Sequence, residues 1–379
     1  NMANIDFGII GGGISGTALA LNLNDRGYSS IVYDNTIQNS KSKLLPYASL
    51  NPRYSIDPTI QNLGTFKSFE FLEVFYKRNL NKNNFNFNFK GVYHFDDNDP
   101  ELRVAKTIKN NPYLLNEIKF IGRSENKWKK DSIFIKSAGW LNVVEFFTQN
   151  LKKIIISDEH VDEIKSNSDF VSVYSNKKKI GEHRYVVLCN PQSINKLIDK
   201  PIFNERYIGS VLTGKHHSNE EVNLSEDGYI LFDKDQFCSG STYYKHKDLL
   251  SGNEKNVLYK KISKWIPQEI TLEKERQGLW QGERFTTKQR KPYVGNLLNY
   301  VTTNDKSVDF DWYRNIFINT FYGSKGFSMA PYLSNLLIKL IFSKLDENEI
   351  RLINSLSPYQ NELKILKKSN KIIENFYYE

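Results

Sequence analysis

The chain predicts an α/β fold in which a Rossmann-like domain is interleaved with an antiparallel-sheet α+β domain. Three observations carry that expectation. A strand, a glycine-rich turn, a helix and a second strand follow one another at the N-terminus, the βαβ unit of nucleotide-binding folds. A second glycine-rich turn, again between a strand and a helix, lies near residue 323. Short alternating runs between residues 205 and 250 read as antiparallel strands.

The elements follow in order. Residues 5–10, IDFGII, form an apolar strand that enters GGGISG. TALALNLNDRG then has helical spacing, with Ala18, Leu19, Leu21 and Leu23 apolar and Gly27 as a C-cap. SSIVYD (29–34) is the second strand. Residues 44–58 are turn-rich and read as a functional loop. A helix is expected over 62–80, a strand near 91–95 and a helix over 141–153. Strands are expected at 154–157, 170–174 and 184–189, with a Lys-rich hairpin at 176–179. A helix over 254–265, a strand over 315–320, a helix over 331–345 and a basic amphipathic helix over 358–379 complete the reading. No long linker separates the domains. The nucleotide-binding domain is therefore expected at 1–60, 139–200 and 291–345, the second domain at 61–138 and 201–290, and a helical tail at 346–379.

A chain of 379 residues suits two or three domains and a sizeable core. With 39% hydrophobic and 25% charged residues it is neither disordered nor fibrous. Two cysteines, Cys189 and Cys238, exclude a disulfide framework and a cysteine-only zinc site. They read as buried small hydrophobes in a reducing compartment. No apolar run approaches the roughly 20 residues of a membrane helix, and the first residues lack the basic start of a signal peptide. A cytoplasmic protein with no membrane contact is expected. The net charge of +9 favours an anionic partner. His216, His217 and His246 lack a further ligand at metal spacing, so no metal is expected.

Gly11, Gly13 and Gly16 fit the GxGxxG pattern, with Ile14 and Ser15 between. They permit a tight turn, close approach of a pyrophosphate and close helix packing in turn. The phosphates would sit at a helix N-terminus. Asp34 ends the second strand, where an acid hydrogen-bonds a ribose hydroxyl. An acid there disfavours a 2′-phosphate. The distal turn, Gly323, Ser324, Lys325, Gly326, Phe327 and Ser328, again offers N–H groups to negative charge.

Several segments together resemble the glycine oxidase/D-amino-acid oxidase superfamily of FAD-dependent amine oxidases. Besides the first glycine-rich segment they are YASLNPRYS (47–55), SAGWLNVVEF (137–146), VVLCNPQSI (186–194), DGYILF (227–232), CSGSTYY (238–244), GERFTTKQRKPYVGN (282–296) and YGSKGFSMAPYLSNLL (322–337). Within that superfamily the chain is most similar to the FAD oxidase domain of the bifunctional tRNA 5-methylaminomethyl-2-thiouridine biosynthesis enzyme. The sequence departs from the family at Lys288 and Gln289, at Cys189-Asn190-Pro191 and at Lys325, where Arg is common.

The resemblance implies a D-amino-acid oxidase-like fold and FAD held also by Ala48, Ser49, Val161 and Asn190. It implies oxidation of a secondary amine bearing a carboxymethyl group. The resulting imine would be hydrolysed to glyoxylate and a primary amine. On tRNA this converts carboxymethylaminomethyl-uridine at the wobble position to aminomethyl-uridine. Arg284 would hold the substrate carboxylate bidentately. Lys325 would face the flavin or the substrate acid, Tyr229 and Tyr243 would wall the pocket, and Lys288 would lie in the substrate loop. Basic clusters at 288–291 and 364–371 would contact tRNA phosphates. Because the nucleotide-binding strand starts at residue 5, a methyltransferase, if any, is expected on a separate chain. The competing readings are an oxidase of glycine, sarcosine or a related small amine, which needs no basic surface, and a binding module without turnover.

Overall fold

The computed structural model describes residues 5–37, 40–81, 86–245 and 252–376. The chain divides into two compact units. The first comprises Asn1–Ser40, Asn150–Glu205 and Phe285–Glu379; the second comprises Lys41–Gln149 and Arg206–Arg284.

The first unit is built on a sheet whose strands run in the order Tyr293–Thr303, Ser307–Thr320, Tyr185–Leu188, Phe7–Ile10, Ser30–Tyr33 and Ile155–Ser157. All neighbours are parallel except the first pair. Strands covered on both faces read as unbroken apolar runs, and Phe7–Ile10 is buried at every position. Helix Ile14–Asn24 packs on helix Gly326–Ile341, where Asn22 Nδ2 donates to the Pro331 carbonyl at 2.9 Å. Ile10, Tyr33, Val186, Leu188 and Ile318 share one core cluster with Val171 and Val173 of a small antiparallel sheet. That sheet holds Glu163–Ser166, Val171–Ser175 and Lys178–His183. Its hairpin turns at Asn176 and Lys177, both at positive φ, the twist a two-residue hairpin requires.

The second unit carries an eight-stranded sheet in the order Gly278–Thr286, Glu205–Lys215, Gln236–Gly240, Gly228–Asp233, Asn223–Glu226, Val92–Phe95, Ser132–Ile135 and Ile118–Ile121. The expected antiparallel runs are present, but Asn223–Glu226 pairs in parallel with Val92–Phe95. Leu212, Ile230, Phe232 and Phe237 join Leu258 and Ile262 of helix Glu254–Ser263 in its core. Helix Ile60–Asn79 starts at Thr59, whose side chain accepts from Asn62 N.

Five expectations need correction. The turn-rich stretch 44–58 contains strand Tyr47–Leu50, which pairs with Gly139–Asn142. That pairing draws residues 41–60 and 139–149 into the second unit, whereas 201–205, 285–290 and 346–379 belong to the first. The helix expected over 141–153 begins only at Val143, after that strand, and runs as helix Val143–Asn150 continued by a 3-10 turn over Leu151–Lys153. The helix expected from residue 331 starts at Gly326, with Pro331 inside it. The tail is not one helix. Gln360–Leu366 is helical, and Ile372–Glu374 adds a parallel strand to Ser307–Asp309. Tyr359, Leu363 and Phe376 pack there on Phe310, so apolar burial overrides the helical pattern. Residues 246–250 of the expected sheet and 377–379 of the tail lie outside the described residues.

Candidate functional site

In the first unit the sequence builds a cradle at the start of helix Ile14–Asn24. Gly11 takes φ +105°, and a Cβ on Gly16 would lie 1.9 Å from the Gly11 carbonyl oxygen. Only glycine lets the turn fold back on the helix this closely. Gly13 caps the helix without a side-chain cap, and nothing lies within 4 Å of where its Cβ would stand. The space beside Gly13 thus faces first-turn N–H groups with no intrahelical acceptor, at the positive end of the helix dipole. Asp34 Oδ2 accepts from Gly12 N at 2.7 Å, and Oδ1 accepts from Thr36 N and Oγ1 at 2.8 Å. The half-buried carboxylate ties the second strand to the loop and keeps lone pairs for a further donor.

Other expected cofactor residues of this unit converge on the same loop. A Cβ on Gly326 would lie 2.8 Å from Ile14 Cγ2, and one on Gly11 would lie 2.9 Å from Asn190. Ser15 is buried, with Oγ 3.5 Å from the Cys189 carbonyl. The Asn190 side chain closes its own turn, bonding Ser193 Oγ and Gln192 N at 3.0 Å. Gly323 takes φ +59°, Ser324 and Lys325 are exposed, Phe327 is half-buried, and Ser328 Oγ donates to the Lys325 carbonyl at 3.1 Å. Val161 is buried in the core with Ile10 and Tyr33. Ala48 and Ser49 lie on strand Tyr47–Leu50 of the second unit, Ala48 buried and Ser49 half-buried.

In the second unit Arg284, Tyr229 and Tyr243 come together. The Arg284 guanidinium lies over the Tyr243 ring at 4.9 Å and donates to Ser241 Oγ at 3.5 Å. It presses against Gly209, where a Cβ would stand 2.8 Å from it. Among the described residues no carboxylate pairs with this half-buried cation. Burial pushes the Tyr229 phenol far up, with the Arg284 charge opposing. Tyr229 Oη sits where a Cβ on Gly240 would be, 2.5 Å away. Lys288 is exposed and belongs to the first unit.

The histidines and cysteines are otherwise engaged. His216 Nδ1 meets Ser218 Oγ at 2.8 Å, and His217 pairs with Glu273 at 2.7 Å. His246 lies outside the described residues. Cys189 and Cys238 are buried and unbonded to each other, and burial pushes the Cys189 thiol up to about 12.

Residues 6–340 match the family described as FAD dependent oxidoreductase. The chain belongs to that family. FAD is its cofactor, and the open cradle at Gly13 with Asp34 beside it fits a dinucleotide. The tRNA 5-methylaminomethyl-2-thiouridine biosynthesis bifunctional protein of Campylobacter concisus is 26% identical over 96% of this chain. Its counterpart from Campylobacter jejuni is 24% identical over 97%. The chain spans 60% of the length of each. Among solved structures, glycine oxidase from Bacillus cereus superposes with a TM-score of 0.70 at 16% identity, covering 93% of this chain and 98% of that one. L-proline dehydrogenase from P. horikoshii gives 0.73 at 16% identity, covering 95% and 98%. These likenesses establish the D-amino-acid oxidase-like α/β fold.

Sequence reading missed how this oxidoreductase gathers its lysines. Burial lowers the Lys291 pKa, and the charges of Lys364 and Lys325 lower it further. Gln289 Nε2 donates to Asn361 Oδ1 at 3.0 Å, which fixes the 287–291 turn beside helix Gln360–Leu366. Two basic runs and the distal glycine turn therefore share one patch of the first unit. Only their separate charges, not this meeting, are visible in the sequence.

Proposed function

We propose that the chain oxidises the carboxymethylaminomethyl group on the wobble uridine of tRNA, releasing glyoxylate and leaving aminomethyl-uridine. The observation that carries this reading is Arg284, a half-buried guanidinium with no acid partner among the described residues. Its planar fork matches a carboxylate bidentately. FAD, when bound, supplies the two-electron oxidant. The chain's own residues bind and orient. Arg284 takes the glycyl carboxylate and fixes the position of the adjacent CH₂. Tyr243 braces the guanidinium, and Tyr229 walls the pocket and limits water. The amine must enter neutral, so little acid–base catalysis is asked of the protein. Gly11, Gly13, Gly16, Asp34 and the 323–328 turn are the proposed FAD contacts.

Two things support tRNA over a free amine. Lys291, Lys325 and Lys364 crowd one patch, with exposed Lys288 nearby in sequence, as a polyanion requires. Relatives named for tRNA 5-methylaminomethyl-2-thiouridine biosynthesis align along nearly all of this chain. Arg284 would equally hold glycine or sarcosine, which makes a small-amine oxidase the second reading. The deciding experiment incubates the FAD-loaded protein with tRNA from cells lacking this oxidase and reads nucleosides by mass spectrometry. Glycine and sarcosine are assayed in parallel. Loss of the carboxymethyl group from tRNA supports the proposal; turnover of the small amines alone replaces it with the second reading.

A further inference from the structure

The second unit carries a half-open cavity of about 50 Å³. Its floor is apolar and includes Ile133 and Ile135, while its polar wall holds Arg53, Arg103, His94 and Asn51. That volume is several times the roughly 10–15 Å³ that one water needs on the same measure, so the cavity admits one small polyatomic group. The two arginines are not equivalent. Arg103 donates to Asp96 Oδ2 at 3.0 Å. Arg53 has no hydrogen-bond or ion-pair partner among the described residues. Arg53 is exposed at the mouth of the cavity, where partial desolvation and the neighbouring charge of Arg103 lower its pKa. His94 meets Ser225 Oγ at 3.2 Å, and burial together with Arg53 holds its pKa down at about 4, so the ring adds no charge of its own near neutrality. On the same wall Asn51 Oδ1 is buried without a hydrogen-bond partner.

Unmet polar groups at a cavity wall are costly unless something satisfies them. Here two buried groups on the lining, Asn51 Oδ1 and Tyr54 Oη, have no hydrogen-bond partner among the described residues, and the exposed Arg53 cation stands at the mouth. An oxygen anion with an O–H on it or beside it answers all three, accepting from Tyr54 and Arg53 and donating to Asn51: a hydrogen phosphate, or a phosphate ester next to a ribose hydroxyl. The cavity also neighbours the carboxylate site. Tyr243 feels the charge of Arg53 and carries Arg284 on its ring at 4.9 Å.

We infer that the Arg53–Arg103–His94 cavity is an oxyanion-binding subsite that takes a single phosphate group. This goes beyond the proposed reaction, because it holds whichever amine is oxidised. Arg53 supplies the charge, Arg103 is held in place by Asp96, and the apolar floor shapes the pocket around the ligand.

The test is calorimetric titration of the FAD-loaded chain with inorganic phosphate, and separately with acetate, at constant ionic strength. Wild type should bind one phosphate. Arg53→Gln should weaken it by at least about tenfold, because it removes the one cation of the site that no acid already holds. Arg53→Lys should fall between them. Because Arg53 makes no hydrogen bond within the protein, the variants should keep wild-type flavin content, which confirms their fold. A wild type that binds no phosphate, one that prefers acetate, or an Arg53→Gln protein that binds phosphate as wild type does overturns the inference. A second arm identifies the source of the phosphate. If Arg53→Gln also raises KM for tRNA about tenfold, the group belongs to the tRNA. If it weakens phosphate alone, the ligand is free phosphate. Phosphate titration requires no turnover, so its failure leaves the proposed reaction standing, and failure of that reaction leaves the subsite standing.

Discussion

Gly13 and Gly16 stand three residues apart and meet different physical demands. Gly16 is needed by the fold itself, since its Cβ would collide with the Gly11 carbonyl at 1.9 Å. Gly13 has φ −69° and ψ −165°, which any residue adopts, and its Cβ would enter open space. Gly13→Val should therefore leave the apoprotein within about 1 kcal/mol of wild type yet abolish FAD retention, by filling the cradle. Gly16→Val should destabilise the apoprotein by about 1–3 kcal/mol or more through overpacking. Apoprotein melting and flavin absorbance per chain separate the two, and a yellow Gly13→Val protein would dismiss the cradle. Arg284 is read through kinetics. Truncating a charged, bidentate contact in a desolvated pocket typically costs about 2–5 kcal/mol. Arg284→Ala should accordingly lower kcat/KM by about 30- to 4,000-fold with normal flavin content. Arg284→Lys keeps the charge but loses the fork and should recover only part of that. Wild-type rates in Arg284→Ala would place the carboxylate elsewhere, with Lys325 or Lys288 next to test.

At the scale of elements, the lysine patch joins the 287–291 turn, the 323–325 turn and helix Gln360–Leu366. If it binds tRNA phosphates, Lys291→Glu and Lys364→Glu should each flatten the slope of log K against log salt by about one. Unchanged affinity and slope in a filter-binding series would refute the patch and favour the small-amine reading. What the sequence revealed of these elements follows from how local their determinants are. The first βαβ unit was legible because strand, glycines and helix are contiguous. Strand Tyr47–Leu50 was not, because its reason for existing is the Gly139–Asn142 partner nearly a hundred residues on. Pro331 misled for a related reason. Proline marks helix starts in local statistics, yet here it sits inside a helix whose packing on Ile14–Asn24 overrides the lost N–H. In the tail, Leu and Ile alternating with Lys suggested an amphipathic helix. The core around Phe310 instead recruits Ile373 and Phe376 from an extended segment. At the site, the sequence offers Arg284 and Tyr243 as candidates, while Ser241 and Gly209 beside Arg284 belong to other strands and turns.

At the scale of the whole molecule, among the described residues no helix is long and apolar enough to cross a membrane. The chain's stability should respond both to ligand and to acid. FAD binds only the folded chain, so free FAD at about 100 times Kd should add about 2.7 kcal/mol and raise the unfolding temperature by several degrees. A melting temperature unmoved by FAD would mean the cradle is not assembled in solution. The acid response isolates His94. Burial, and then the charge of Arg53, lowers its pKa from 6.5 to about 4 in the folded chain. Between those values the unfolded chain binds a proton at this ring that the folded chain does not. Stability contributed by the neutral ring is therefore complete above the unfolded value and is lost as pH falls through the window, by roughly 3 kcal/mol at most. Below the folded pKa both states are protonated and the loss stops growing. His94→Gln removes the titration and preserves a hydrogen-bonding side chain toward Ser225. Urea midpoints measured between about pH 4 and 7 should fall more steeply for wild type than for His94→Gln. Arg53→Gln should lie between them, because it removes only the second cause of the shift. Parallel acid limbs in wild type and His94→Gln would show that this ring titrates normally, and that the cavity wall is wetter and less charged than its residues require.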